Sequence, residues 1–132
     1  MRTELDIFSK VDNLSYVEKM IDDIASDFKL TSEVYGNILV ATVEAVNNAI
    51  IHGNKLDGSK KVNIVFTIED DKLIINIKDE GVGFDYENIP DPTAPENIEK
   101  PHGRGIFLIK HLVDEWEFKN NGSEVEFLFK LK

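Results

Sequence analysis

The apolar residues change their period near Gly53, and that change restricts what this chain can fold into. Before it, Val17, Met20, Ile21, Ile24 and Phe28 recur at helical spacing. They predict a helix capped by Asp12 or Ser15 and running to about Phe28. Thr31 and Ser32 open a second helix, with Glu33 in its first turn, where the helix dipole favours an acid. That helix reads to about His52 and is stopped by Gly53 and Asn54. Beyond it the period is two. Val62, Ile64, Phe66 and Ile68 form a strand, Asp70-Asp71 a turn, and Leu73 to Ile77 the second strand of a hairpin. Trp116 and Phe118, the turn Asn120-Asn121-Gly122, and Val125, Phe127, Phe129 and Leu131 give another hairpin. Leu5, Ile7 and Val11 suggest a short first strand, and Gly105 to about Val113 a third helix. Strands in antiparallel pairs with helices between them predict an α+β fold, helices packed on one face of a mostly antiparallel sheet. Residues 85 to 102 hold all four prolines and read as a long surface loop, a length that in a small domain usually serves function.

Composition narrows the class. The 132 residues fit one domain. Without cysteine there is no disulfide scaffold, no thiol nucleophile and no cysteine–zinc site. Fifteen basic against 25 acidic side chains leave a net charge of −10, which argues against binding nucleic-acid phosphates or an anionic membrane surface. Uninterrupted apolar runs are too short to span a bilayer. Acids stand at the N-terminus where a signal peptide carries bases and a long apolar stretch. The expectation is a soluble, acidic, cytoplasmic domain.

Three segments carry chemistry. Glu44, Asn48 and His52 recur every four residues, which on a helix stacks them along one stripe. A carboxylate beside an amide can orient or deprotonate a hydroxyl while the amide ligates Mg²⁺. A polar stripe is also what any solvated helix face shows, but small Ala41, Ala45 and Ala49 leave room beside this one. Asp79-Glu80-Gly81-Val82-Gly83-Phe84 follows a strand directly. Its glycines permit close backbone approach to a ligand, and Asp79 could accept a hydrogen bond from an exocyclic amine such as that of adenine. Asp and Gly are equally the residues of an ordinary turn. His102-Gly103-Arg104-Gly105 opens a helix, where exposed N–H groups and one fixed positive charge suit an anion. Gly53 to Lys60 superficially resembles a phosphate-binding loop, but its Lys and Ser are in the wrong order and it lies between a helix and a strand. Asn121-Gly122-Ser123 matches a glycosylation acceptor only in letters. His102 and His111 lack partners at metal-ligand spacing.

Together, in this order and spacing, Glu44–Gly53, Asp79–Asp85 and Gly103–Leu108 resemble the N box and the two glycine boxes of the gyrase, chaperone and histidine-kinase type of ATPase. The chain is most similar to the small stand-alone branch of bacterial anti-sigma factor serine/threonine kinases and anti-sigma regulatory factors. The resemblance implies one ATPase domain over residues 1–132, a two-layer α/β sandwich with a lid over about residues 85–102. It implies ATP and Mg²⁺ as cofactors, Glu44 as general base and Asn48 as the Mg²⁺ ligand. His52, Asp79, Gly81, Gly83, Gly103, Arg104, Gly105 and Ser123 would line the nucleotide site, with Asp79 recognising the adenine amino group. Ser123 stands where the family often has Thr, and Asn47 where relatives commonly have Thr. The implied activity is phosphorylation of an anti-sigma-factor antagonist protein together with sequestration of a sigma factor, in a homodimer, without direct nucleic-acid or membrane contact. Two other readings remain: a non-catalytic, ATP-dependent binding module, and the catalytic half of a sensor histidine kinase. The second needs an upstream dimerisation helix with a phosphoacceptor His, for which these residues hold no candidate.

Overall fold

Each alternating segment becomes a strand in the computed structural model, which describes residues 1–82 and 109–131. In chain order the elements are β1 (Arg2–Phe8), α1 (Leu14–Asp27), α2 (Ser32–Asn48), β2 (Lys61–Glu69), β3 (Lys72–Lys78), β4 (Glu115–Lys119) and β5 (Glu124–Lys130). The sheet order is β1-β2-β3-β5-β4, and each of its four pairings is antiparallel. The α+β expectation is borne out, with a sheet that is wholly antiparallel among the described residues.

Period-two patterning sorts the strands into two faces. Ile7, Val62, Ile64, Phe66, Ile75, Ile77, Val125 and Phe127 are buried on one face, and Val17, Ile21 and Ile24 of α1 with Ile38, Ala41, Ala45 and Val46 of α2 belong to the same core. Lys61, Lys72, Lys78 and Lys130 alternate with these residues and are exposed. A fully buried side chain of this size stabilises the fold by roughly 1.5–3 kcal/mol relative to its exposed state. Three left-handed positions shape the β4–β5 connection: Asn120, Asn121 and Gly122, with φ of 52°, 59° and 94°. Asp70 and Asp71 turn β2 into β3 with φ of 51° and 60°, the pair of positive values that a two-residue hairpin turn requires.

Helix starts only partly follow the sequence expectation. Thr31 caps α2, its Oγ1 accepting from the Val34 N–H at 3.2 Å. Neither Asp12 nor Ser15 caps α1. A single 3₁₀ turn over Val11–Asn13 leads into it, and the cap position is Asn13, whose side chain donates to the Phe8 carbonyl instead. Val11 therefore lies outside β1, and Phe28, counted with the apolar stripe, falls just past α1 and is exposed. The run Ser32–Gly53 is 22 residues with a mean hydropathy of 1.3 over its best window, enough by length and composition to cross a bilayer. The expectation of short runs had counted uninterrupted apolar residues only. Here the helix's apolar side is core, packed with α1 and the sheet. The expected lid, Gly83, Gly103, Arg104, Gly105 and most of the third helix lie outside the described residues; Ile109 to Val113 form its last, buried-edged turn.

Candidate functional site

The end of α2 is where the sequence reading was least complete. After Asn48 the helix does not continue as α. Residues Ala49–Gly53 form a π turn, in which the Asn54 N–H donates to the Ala49 carbonyl five residues back at 2.8 Å. Single π turns inside α-helices are rare and concentrate at functional sites. The wider turn winds His52 less far round the axis than α spacing would. Asn48 and His52 both line one cavity.

That cavity takes in about 620 Å³, counting the open space at its mouth. Ala45, Asn48, Ala49, His52 and Gly53 form the side given by the end of α2. The sheet contributes Ile77, Val125 and Phe127; Phe118, Gly122 and Ser123 come from β4 and the turn after it, and Ile109 closes the rest. Asp79, the first residue past β3, is the acid of this set. The lining is thus mostly apolar, with a carboxylate, an amide, an imidazole and a hydroxyl, a composition that suits a flat heteroaromatic ring bearing a hydrogen-bond donor.

Asp79 is held on both sides. Its N–H donates to the Ser123 carbonyl at 2.9 Å, tying it to the β4–β5 turn. Its Oδ1 accepts from the Gly81 N–H at 2.7 Å. Burial raises its pKa above the usual carboxylate range; the Gly81 N–H and the charge of Lys60 oppose that shift without cancelling it. Two glycines allow the packing around it. A Cβ on Gly53 would lie 2.5 Å from Asp79 Cγ, and a Cβ on Gly81 would lie 2.7 Å from the Gly53 carbonyl carbon. Neither position tolerates a side chain without movement of backbone or of Asp79.

Asn48, His52, Asp79 and Ser123 are brought together in this way. Gly81 is adjacent, contacting Asp79 and Gly53 rather than lining the cavity. Glu44, one turn before Asn48, is half-buried and is not part of the lining. The Asn48 amide nitrogen is buried and has no hydrogen-bond partner among the described residues, an arrangement that in a native structure asks for a missing partner. Among the described residues no group of three or more His, Cys, Asp or Glu could cage a metal. A Mg²⁺ ion does not need one, since it commonly takes one or two protein ligands and completes its shell with phosphate oxygens and water. The unpartnered Asn48 N–H₂ calls for an acceptor such as a ligand oxygen, and the Oδ1 of the same amide is the atom that could take a Mg²⁺ brought in with a phosphate ligand.

Sequence reasoning missed Asn54. It read only as a helix stop, yet it is 1% exposed and hydrogen-bonded to three separate segments. An asparagine placed where a helix ends carries no local sign of partners so far along the chain.

A family model for the histidine kinase-like ATPase domain matches residues 7–129. The chain belongs to this family. Its relatives include a protein of Oceanobacillus iheyensis named serine-protein kinase RsbW, 30% identical over 89% of this chain and 78% of its own length. Proteins named anti-sigma F factor from Clostridium perfringens and Clostridium acetobutylicum are 30% and 31% identical, over 94% and 99% of this chain and 92% and 93% of theirs. These relatives put it in the anti-sigma factor and serine-protein kinase branch. Among solved structures, the RsbU and RsbW domains of a Mycobacterium tuberculosis protein superpose with a TM-score of 0.65 over 98% of this chain, which spans 31% of that one. At 11% identity that likeness shows a shared fold.

Proposed function

We propose that this chain binds ATP with Mg²⁺ in the cavity, acts as a serine/threonine kinase on an anti-sigma-factor antagonist protein, and sequesters a sigma factor. The observation that carries this is the meeting of Asn48, His52, Asp79 and Ser123, from segments far apart in sequence, around one apolar cavity. Family membership and relatives named as serine-protein kinase and anti-sigma factor support the reaction and the partners. In this proposal Asp79 accepts a hydrogen bond from the adenine amine, and the apolar walls exclude water from the ring. The Asn48 amide oxygen would hold Mg²⁺, which when bound neutralises phosphate charge. Glu44 accepts the proton of the substrate hydroxyl, work typically worth 10²–10⁴ in rate. We further propose a single domain over residues 1–132 acting as a cytoplasmic homodimer, without direct contact to nucleic acid or membrane. A net charge of −10 supports the absence of nucleic acid.

The experiment is incubation of the protein with labelled ATP, Mg²⁺ and a candidate antagonist domain, with the partner read by mass spectrometry. The expected outcome is transfer to a serine or threonine, reduced on the order of a hundredfold or more in Glu44→Ala. Transfer that is no better in the wild type than in this variant contradicts the kinase assignment. A second reading is a binding module that uses ATP only to set partner affinity. Nucleotide-dependent partner capture without any transfer would select it.

A further inference from the structure

Two pieces of chain meet at the proposed adenine end of the cavity, the π turn with His52 and Gly53 and the loop with Asp79 to Gly81. A residue that lines neither is hydrogen-bonded to the loop while its own backbone closes the turn. Asn54 donates through Nδ2 to Ser9 Oγ at 2.8 Å and to the Lys61 carbonyl at 3.0 Å. Its Oδ1 accepts from the Glu80 N–H at 2.7 Å. The partners fix which way the amide faces, because a carbonyl can only accept and a backbone N–H can only donate. Both Nδ2 protons are used. The Asn54 backbone N–H also closes the π turn on Ala49. Ser9 is itself anchored, its Oγ and N–H both donating to the Lys60 carbonyl. The side chain of Glu80 accepts from the Lys61 N–H, so the residue after Asp79 is tied to the start of β2 a second time.

From this network, and resting on the nucleotide reading above, we infer that Asn54 is a positioning residue that sets the distance between Gly53 and the Asp79 carboxylate and thereby the selectivity for adenine. The contact it governs has little slack. The Asp79 carboxyl fills the space a Cβ on Gly53 would take, and the Gly53 carbonyl fills the space a Cβ on Gly81 would take. If the Glu80 N–H loses its acceptor, the loop is released at the residue between Asp79 and Gly81. The carboxylate that would read the adenine amine then moves relative to the ring. Asn54 touches no ligand in this scheme; it acts through the loop. A buried amide with every donor satisfied over three segments is also costly to replace, since Ser9, left behind, is itself buried.

The test uses the full chain. Calorimetry with Mg²⁺ and either ATP or GTP is run on wild type, Asn54→Ala and Thr31→Ala, at a temperature where circular dichroism shows all three folded. Thr31 caps α2 and lies outside the cavity lining, so Thr31→Ala lowers the melting temperature and leaves both affinities as in the wild type. Asn54→Ala is expected to weaken ATP binding roughly ten- to a hundredfold while GTP binding changes little, so the ratio of the two collapses. Asn54→Ala that is folded and keeps the wild-type ratio overturns the inference and leaves the nucleotide reading intact. Wild type that binds neither nucleotide overturns the nucleotide reading, and the inference with it. Should Asn54→Ala not fold, the wild type still decides. A scalar coupling across the hydrogen bond between the Glu80 amide nitrogen and the Asn54 side-chain carbonyl carbon is expected in NMR, and its absence overturns the clamp.

Discussion

Asp79 concentrates the electrostatics of the site. Its carboxyl is harder to ionise than an ordinary one because burial strips it of water, and the Gly81 N–H and Lys60 recover only part of the loss. In the ligand-free protein the folded state therefore holds this proton more tightly than the unfolded state does. Stability contributed by the protonated form is present at low pH and is lost as pH rises from the unfolded value through the raised folded one. Asp79→Asn should flatten that slope and stabilise the free protein at neutral pH, as measured by thermal denaturation across pH. Nucleotide binding should show the opposite dependence. An adenine amine donates to the ionised form, so affinity rises with pH through the same raised pKa in the wild type and is low at every pH in Asp79→Asn. Calorimetry across that interval checks both, and an affinity indifferent to the ionisation of Asp79 rules it out as the acceptor.

At the scale of the element, the π turn joins the two halves of the site. Asn48 and His52 share a cavity at the end of α2, and Gly53 is brought against Asp79. Gly53→Ala places a methyl group in the space of the carboxyl carbon. The expected result is a fold that survives and an ATP affinity reduced by roughly tenfold or more; unchanged affinity would mean that the contact is not used. Much of this was legible in the sequence. The hairpins at Asp70-Asp71 and Asn120-Asn121-Gly122 were readable because turn chemistry is local and sharp. The start of α2 was readable because Thr31 satisfies an N–H three residues on. The four polar residues of the cavity were singled out from spacing and resemblance. Three features were not legible. The π turn has no compositional mark. The role of Asn54 depends on partners 45 and 26 positions away. The place of Glu44 outside the lining depends on how the helix is rotated against the sheet, which periodicity alone does not set.

Taken whole, the molecule carries a charge of −10 over a 132-residue domain. Like charges at that density oppose the compact state, and salt relieves the repulsion. The melting temperature of the ligand-free protein should rise as sodium chloride is increased from a low value to a physiological one. A midpoint that falls instead would mean that attractive pairs outweigh net repulsion, although the ion pairs among the described residues are few and mostly exposed. The sheet order has one more consequence. Two hairpins, β2–β3 and β4–β5, can form from neighbouring residues, but β3 meets β5 only across a long separation, and the cavity needs that seam and the end of α2 at once. No fragment that lacks any part of residues 45–127 can then hold the whole lining. An occupant is therefore a latch on global folding: whatever settles there protects distant strands from proteolysis as strongly as near ones.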